Sequence, residues 1–164
     1  MELIGNTLEE TAYHEAGHVV IASAVGLDLR PRGIRIWEAP GGITGGVACY
    51  WEDAETEPVL LALRAGQMVQ RRQFPESEIR GGKPDIRAFD KAVITVFGQN
   101  RLGEMYENIN RQVAGLLTSH WRAIAAVARA IVESDWVPVT PDDRELMAPE
   151  ERSLFKRGKH LDGA

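Results

Sequence analysis

His14-Glu15-Ala16-Gly17-His18 is the part of this 164-residue chain whose residue types and spacing can do chemistry. On a helix, residues four apart share a face, so both imidazoles can reach one metal ion. Glu15, rotated by about 100° from His14, can address a water on that ion. Zinc held by three protein ligands keeps a fourth position for water, brings that water's pKa to about 7 and polarises a carbonyl. In that arrangement His14 and His18 are ligands and Glu15 is the general base.

A third ligand is required. A histidine six residues after His18 is absent, because Ile21 and Ala24 stand where Gly and His would be needed. A glutamate from a following helix would have to be Glu38, which falls at the end of an expected strand beside Pro40. Asp85 opens a helix directly after a glycine-rich loop and is the better candidate, with Asp90 as its competitor. An aspartate in a first helical turn is also what simple compensation of the helix dipole places there. Cys49 is the lone cysteine, so a thiolate cluster and an internal disulfide are both excluded and a cytoplasmic protein is expected.

The elements that must position these groups are legible in pattern. Thr7-Leu8-Glu9-Glu10 fits a capping box, and a helix is expected from Leu8 to Val25 with Gly26 as its stop. Period-two alternation at Ile34, Ile36 and at Val47, Cys49, Trp51, around Ala39-Pro40-Gly41-Gly42, predicts two strands. Helical spacing predicts a second helix from Pro58 to Phe74, a third from Pro84 to about Gly98 and a long fourth from about Glu104 to Glu133, with Gly115 as a place for a bend. Thr140-Pro141-Asp142-Asp143 suits the cap of a short last helix. The expected class is mainly α with a small β-hairpin, an α+β domain over residues 1–148, followed by a charged tail at 149–164 whose composition suits disorder.

Composition narrows the partners. At 44% hydrophobic and 26% charged residues the chain reads as an ordinary globular domain, and its formal charge of −5 argues against nucleic acid. No apolar run reaches the roughly 18 residues of a membrane span, and the N-terminus has no secretory pattern. His120, inside the long helix, reads as a packed residue, His160 as an exposed one and Cys49 as a small hydrophobe. Trp37, Tyr50 and Trp51 could line a groove beside the hairpin, although aromatics in a hairpin more commonly pack.

The stretch Thr11-Ala12-Tyr13-His14-Glu15-Ala16-Gly17-His18-Val19-Val20 resembles the zinc helix of the FtsH family of ATP-dependent metalloproteases. Ile34 to Trp51 is similar to that family's strand pair, Leu60 to Phe74 to its next helix, and Leu116 to Arg122 to its long penultimate helix. Gly81-Gly82-Lys83-Pro84-Asp85-Ile86 looks like its loop ending in a ligand aspartate. The resemblance covers about Leu8 to Met147 and implies His14, His18 and Asp85 as ligands of one zinc per chain, with Glu15 as base. Gln70 stands where the family commonly has Glu, and Pro84 where Asn or Ser is usual. No phosphate-binding Gly-rich Lys-Ser/Thr motif is present, so the expectation is the protease domain without its ATPase. The implied activity is zinc-dependent hydrolysis of flexible or unfolded peptides, with an ATPase supplied in trans as a further option and a monomer or small homo-oligomer as the state. The rival expectation is a catalytically inactive, zinc-stabilised module that binds peptide or protein.

Overall fold

In the computed structural model, residues 7–39, 42–50, 54–77 and 83–133 are described, with side chains left out for the paired strands and Lys83. The first helix, α1 (Leu8–Ala24), starts where the hydroxyl of Thr7 accepts a hydrogen bond from the Glu10 backbone N–H at 3.1 Å. The Glu10 carboxylate in turn accepts one from the Ser77 hydroxyl. The helix ends in a Schellman turn: Leu27 N–H donates to the Ala22 carbonyl and Gly26 N–H to that of Ser23, with Gly26 at φ +82°. That left-handed conformation is the one glycine adopts without a Cβ penalty.

Two strands follow, β1 (Asp28–Ala39) and β2 (Gly42–Tyr50), paired antiparallel with Ile34 opposite Val47 and Trp37 opposite Thr44. The register breaks between Leu29 and Ile34, where Pro31 can give no ladder hydrogen bond. Three helices complete the order: α2 (Thr56–Gln73), α3 (Lys83–Phe97) and, after a short turn of 3-10 helix, α4 (Leu102–Glu133). Pro58 lies in the first turn of α2 rather than before it, a position where its missing N–H is not needed. Gly115 does not split α4, which runs through it unbroken with the glycine on an open face.

The packed body is all-α, a correction to the α+β class expected from the sequence. Its four helices share one core that includes Ala16 and Ile21 of α1, Leu60 and Val69 of α2, Phe89 and Val93 of α3, and Ile109 and Ile124 of α4. Every described core side chain is helical except Leu27, in the turn after α1. The strand pair is present as a ribbon, but with no third strand among the described residues it makes no layer of its own, and a lone hairpin is marginal in isolation. It runs chiefly alongside α1.

Amphipathicity accounts for the helix positions. In α4 the buried residues Met105, Ile109, Val113, Leu117, Ile124, Ala128 and Ile131 form one stripe at helical spacing, while the intervening residues are exposed or half-buried. Around α1 burial is almost continuous, from Thr11, Ala12 and His14 through to Ala22, because α2, α4 and the ribbon all lie against it. No helix among the described residues is long and apolar enough to cross a membrane. The helix expected after Thr140, the tail at 149–164 with His160, the Gly81-Gly82 loop and Trp51 lie outside the described residues, as do the side chains of Trp37, Glu38, Cys49 and Tyr50.

Candidate metal centre

The buried helix α1 holds His14 and His18 on the face turned to α2 and to the start of α3. One carboxylate oxygen, Asp85 Oδ2, lies 3.1 Å from the Nε2 atom of each histidine. Both imidazoles are buried and the Asp85 side chain is 30% exposed, so the cluster has one open side. Among the described residues these three are the group of metal-binding type whose donor atoms gather within 4.8 Å. Asp90 is not part of it: its carboxylate accepts a 2.6 Å hydrogen bond from the Tyr106 hydroxyl. His120 sits half-buried on α4, apart from the cluster.

The opposite edge of each imidazole is tied to α2. His14 Nδ1 donates to Gln70 Oε1 at 2.9 Å, and His18 Nδ1 donates to the Ala62 carbonyl at 2.7 Å. Protonation at Nδ1 leaves the Nε2 lone pairs of the neutral rings directed at the shared point, the arrangement by which outer hydrogen bonds orient metal-binding histidines. Ala62, Gly66 and Gln70 recur every four residues, so one stripe of α2 supplies both acceptors.

Gly66, in the middle of that stripe, makes the approach feasible. A Cβ there would press on His18 Nε2 and Cε1 and on His14 Cδ2. On α1 the reciprocal position is Gly17, where a Cβ would fall 2.8 Å from Val69 Cγ2 and 3.0 Å from the Ala65 carbonyl oxygen. Gly17 was legible as space for packing beside the histidines; Gly66 was not singled out. Its available signal was a glycine inside a helix, where it costs about 1 kcal/mol against alanine and asks for a packing reason. Gln70 was legible only as a departure from the resembled family; in the structure its amide oxygen supplies the acceptor that His14 requires.

The donor set suits a tetrahedral ion. Atoms about 2.0–2.2 Å from a tetrahedral centre lie about 3.3–3.6 Å apart, close to the 3.1 Å from Asp85 to each histidine, and an ion would have to draw the whole set, which spreads over 4.8 Å, closer together. The electrostatics are those of a cation site with a proton on His18 instead. Burial works against a charged His18, but the Asp85 carboxylate, by charge and hydrogen bond, together with Glu15 and the Ala62 carbonyl, outweighs it and pushes the imidazole up to about 9. Burial likewise opposes charge on Asp85, yet the charge of His18 and the hydrogen bonds from both histidines hold its carboxyl well below the usual range.

Glu15 completes the centre. It is buried, and its Oε2 has no hydrogen-bond partner among the described residues. Burial raises its pKa, opposed by the nearby histidines and reinforced by Asp85. A desolvated carboxylate oxygen without a partner is costly unless something else occupies the site. Together with the convergent donors, this oxygen fits a centre built around an ion and its water. The chain matches no known family model, and no curated protein matches it, so the functional reading has to come from the centre itself.

Proposed function

We propose that the chain is a zinc-dependent peptidase, acting in the cytoplasm on flexible or unfolded peptides and similar in its centre to the FtsH-type proteases. The observation that carries the reading is the convergence of His14 Nε2, His18 Nε2 and Asp85 Oδ2, with each histidine anchored behind by an acceptor on α2. One zinc per chain would be held by those three atoms. When bound, it would acidify a water and polarise the substrate carbonyl.

The chain's own residues then have separable tasks. Gln70 and the Ala62 carbonyl keep both imidazoles in the tautomer that presents Nε2. Glu15, whose pKa is raised by burial, takes a proton from the attacking water through its unpaired oxygen and returns it to the leaving amine. The enclosure of α1 by its neighbours keeps bulk water from that carboxylate. An extended peptide could add to an edge of the β1–β2 ribbon, which would make recognition depend on backbone. The same reading takes substrates that need no unfolding, or an ATPase partner in trans, and a monomer or small homo-oligomer.

The test is metal content by elemental analysis on untagged protein, paired with hydrolysis of a denatured protein. One zinc per chain is expected in the wild type and in Asp90→Ala, with loss in His14→Ala, His18→Ala and Asp85→Ala. Glu15→Gln should keep zinc and lose hydrolysis. Zinc binding with no hydrolysis by the wild type would leave a zinc-stabilised binding module. Failure to bind zinc at all would remove the metal centre.

A further inference from the structure

Beside the centre a cleft opens between α2, α3 and α4, and Asp85 forms part of its wall. Leu63, Ile86 and Phe89 supply its apolar sides, and Arg64, Gln67 and Tyr106 are its other polar members. The Arg64 guanidinium is held firmly: Nε donates to Asn110 Oδ1 at 2.7 Å, Nη1 donates to Gln67 Oε1, and the group lies 5.5 Å from the centre of the Tyr106 ring. All three contacts are to neutral groups. Among the described residues no carboxylate pairs with this half-buried cation, and Asp90 is engaged by Tyr106 instead.

We propose that Arg64 is a carboxylate-binding subsite of this cleft, so that the preferred peptides carry a carboxylate beside the bond addressed by the metal centre. A partly desolvated cation normally has an anionic partner. A guanidinium is the group best shaped to take a carboxylate by parallel N–H···O bonds, and hydrogen bonds to neutral oxygens on one side leave Arg64 further donors for a ligand. Charge balance points the same way. With neutral imidazoles, the carboxylates of Asp85 and Glu15 would balance a divalent ion, so the Arg64 cation is left in surplus in the same cleft. The carboxylate can be a free peptide C-terminus or an Asp or Glu side chain, and the inference rests on the peptidase reading for its choice of peptide as ligand.

The experiment measures binding of short peptides to zinc-loaded Glu15→Gln protein, in which turnover is blocked. The peptides differ only in Glu against Gln and in a free against an amidated C-terminus. A preference of about tenfold for one carboxylate source is expected, the size of a charge-assisted hydrogen bond. It should vanish in Arg64→Gln and survive in part in Arg64→Lys, while binding of the neutral peptides stays unchanged. A loss confined to acidic peptides, at constant zinc content, is a pattern that general misfolding does not produce. Equal affinity of the parent protein for charged and neutral peptides overturns the inference, as does a preference that persists in Arg64→Gln. Hydrolysis of a denatured protein by the chain with Glu15 intact is scored separately. Cleavage without carboxylate preference refutes the subsite alone, whereas Arg64-dependent preference without cleavage refutes the peptidase reading and leaves the subsite standing.

Discussion

Substituting Gly66 by alanine should weaken metal binding directly. An ideal Cβ at this position lies 2.7 Å from His18 Cε1 and 2.8 Å from His14 Cδ2, and closer still to His18 Nε2, the atom that would hold zinc. Carbon atoms in contact settle at about 3.5 Å or more, so the His18 ring has to retreat by roughly 0.8 Å. Metal–ligand distances tolerate about 0.2 Å. The ring is not free to yield, because its Nδ1 is bonded to the Ala62 carbonyl at 2.7 Å and it packs edge-to-face with the His14 ring, centroids 4.8 Å apart. Against this, alanine favours the helix by about 0.8–1 kcal/mol over glycine. The metal-free protein should therefore lose up to about 2 kcal/mol of stability, overpacking less the helix gain, while zinc affinity falls by about 10- to 100-fold, the range seen when a ligand's support is lost. Competition against a chromophoric chelator reads the affinity directly. At saturating zinc a hundredfold loss also removes about 2.7 kcal/mol of ligand-induced stabilisation. Wild-type zinc affinity in Gly66→Ala would refute the assigned geometry of α2 against the histidines.

The same centre gives three further expectations. Gln70→Ala removes the acceptor for His14 Nδ1 and should weaken zinc binding about 10- to 100-fold, whereas Gln70→Glu should retain it; equal affinity for wild type and the alanine variant would exclude Gln70 as the orienting group. Gly17→Ala forces α1 away from the Ala65 carbonyl and Val69, and should cost about 1–3 kcal/mol of stability in chemical denaturation without zinc. The metal-free protein should also show a defined pH profile. His18, raised from 6.5 to about 9, contributes stability that is complete below about pH 6.5 and disappears as pH rises through 9. Asp85, held low, contributes stability that is present above about pH 4 and disappears as pH falls. Zinc must displace the His18 proton, so affinity should climb about tenfold per pH unit between 6.5 and 9; a flat zinc titration across that window would contradict it.

Local chemistry was the legible part of this sequence. The Thr7 cap, the helix stop at Gly26, the two faces of the His14-Glu15-Ala16-Gly17-His18 run and the stripe of α4 each depend on residues within a few turns of one another, and each is found in the structure. Asp85 over Asp90 could not be decided by spacing, since both lie in α3; the decision lies in what each meets, the histidines for one and Tyr106 for the other. The fold class was misjudged because alternation reports only that a segment is extended. Whether strands become a layer depends on further strands and on side chains packing across them, which no local pattern encodes. Gly66, Ala62 and Arg64 escaped notice for a related reason. Their roles exist only after α2 crosses α1 and faces α3; the contact of His18 with Ala62, for one, links positions 44 residues apart.

The geometry makes metal affinity and the docking of α3 two aspects of one equilibrium. The metal-binding donors come from α1 and α3, and the acceptors behind the histidines come from α2, so an ion at the shared point would tie three helices at once. The first turn of α3 reaches α1 through Asp85, while its apolar anchors, Phe89 and Val93, enter the common core one and two turns later. Whatever loosens α3 then raises the cost of presenting Asp85, and whatever replaces the proton on His18 by a divalent cation strengthens the same link. The buried α1 needs no such help, because its core residues and its ligands are interleaved on one helix packed on several sides. Variants on α1 or α2 that spoil the histidines should therefore act on the ion directly. Variants at the Phe89 anchor should act on it through the position of Asp85, and the open side of the centre toward Arg64 is the side that α3 controls.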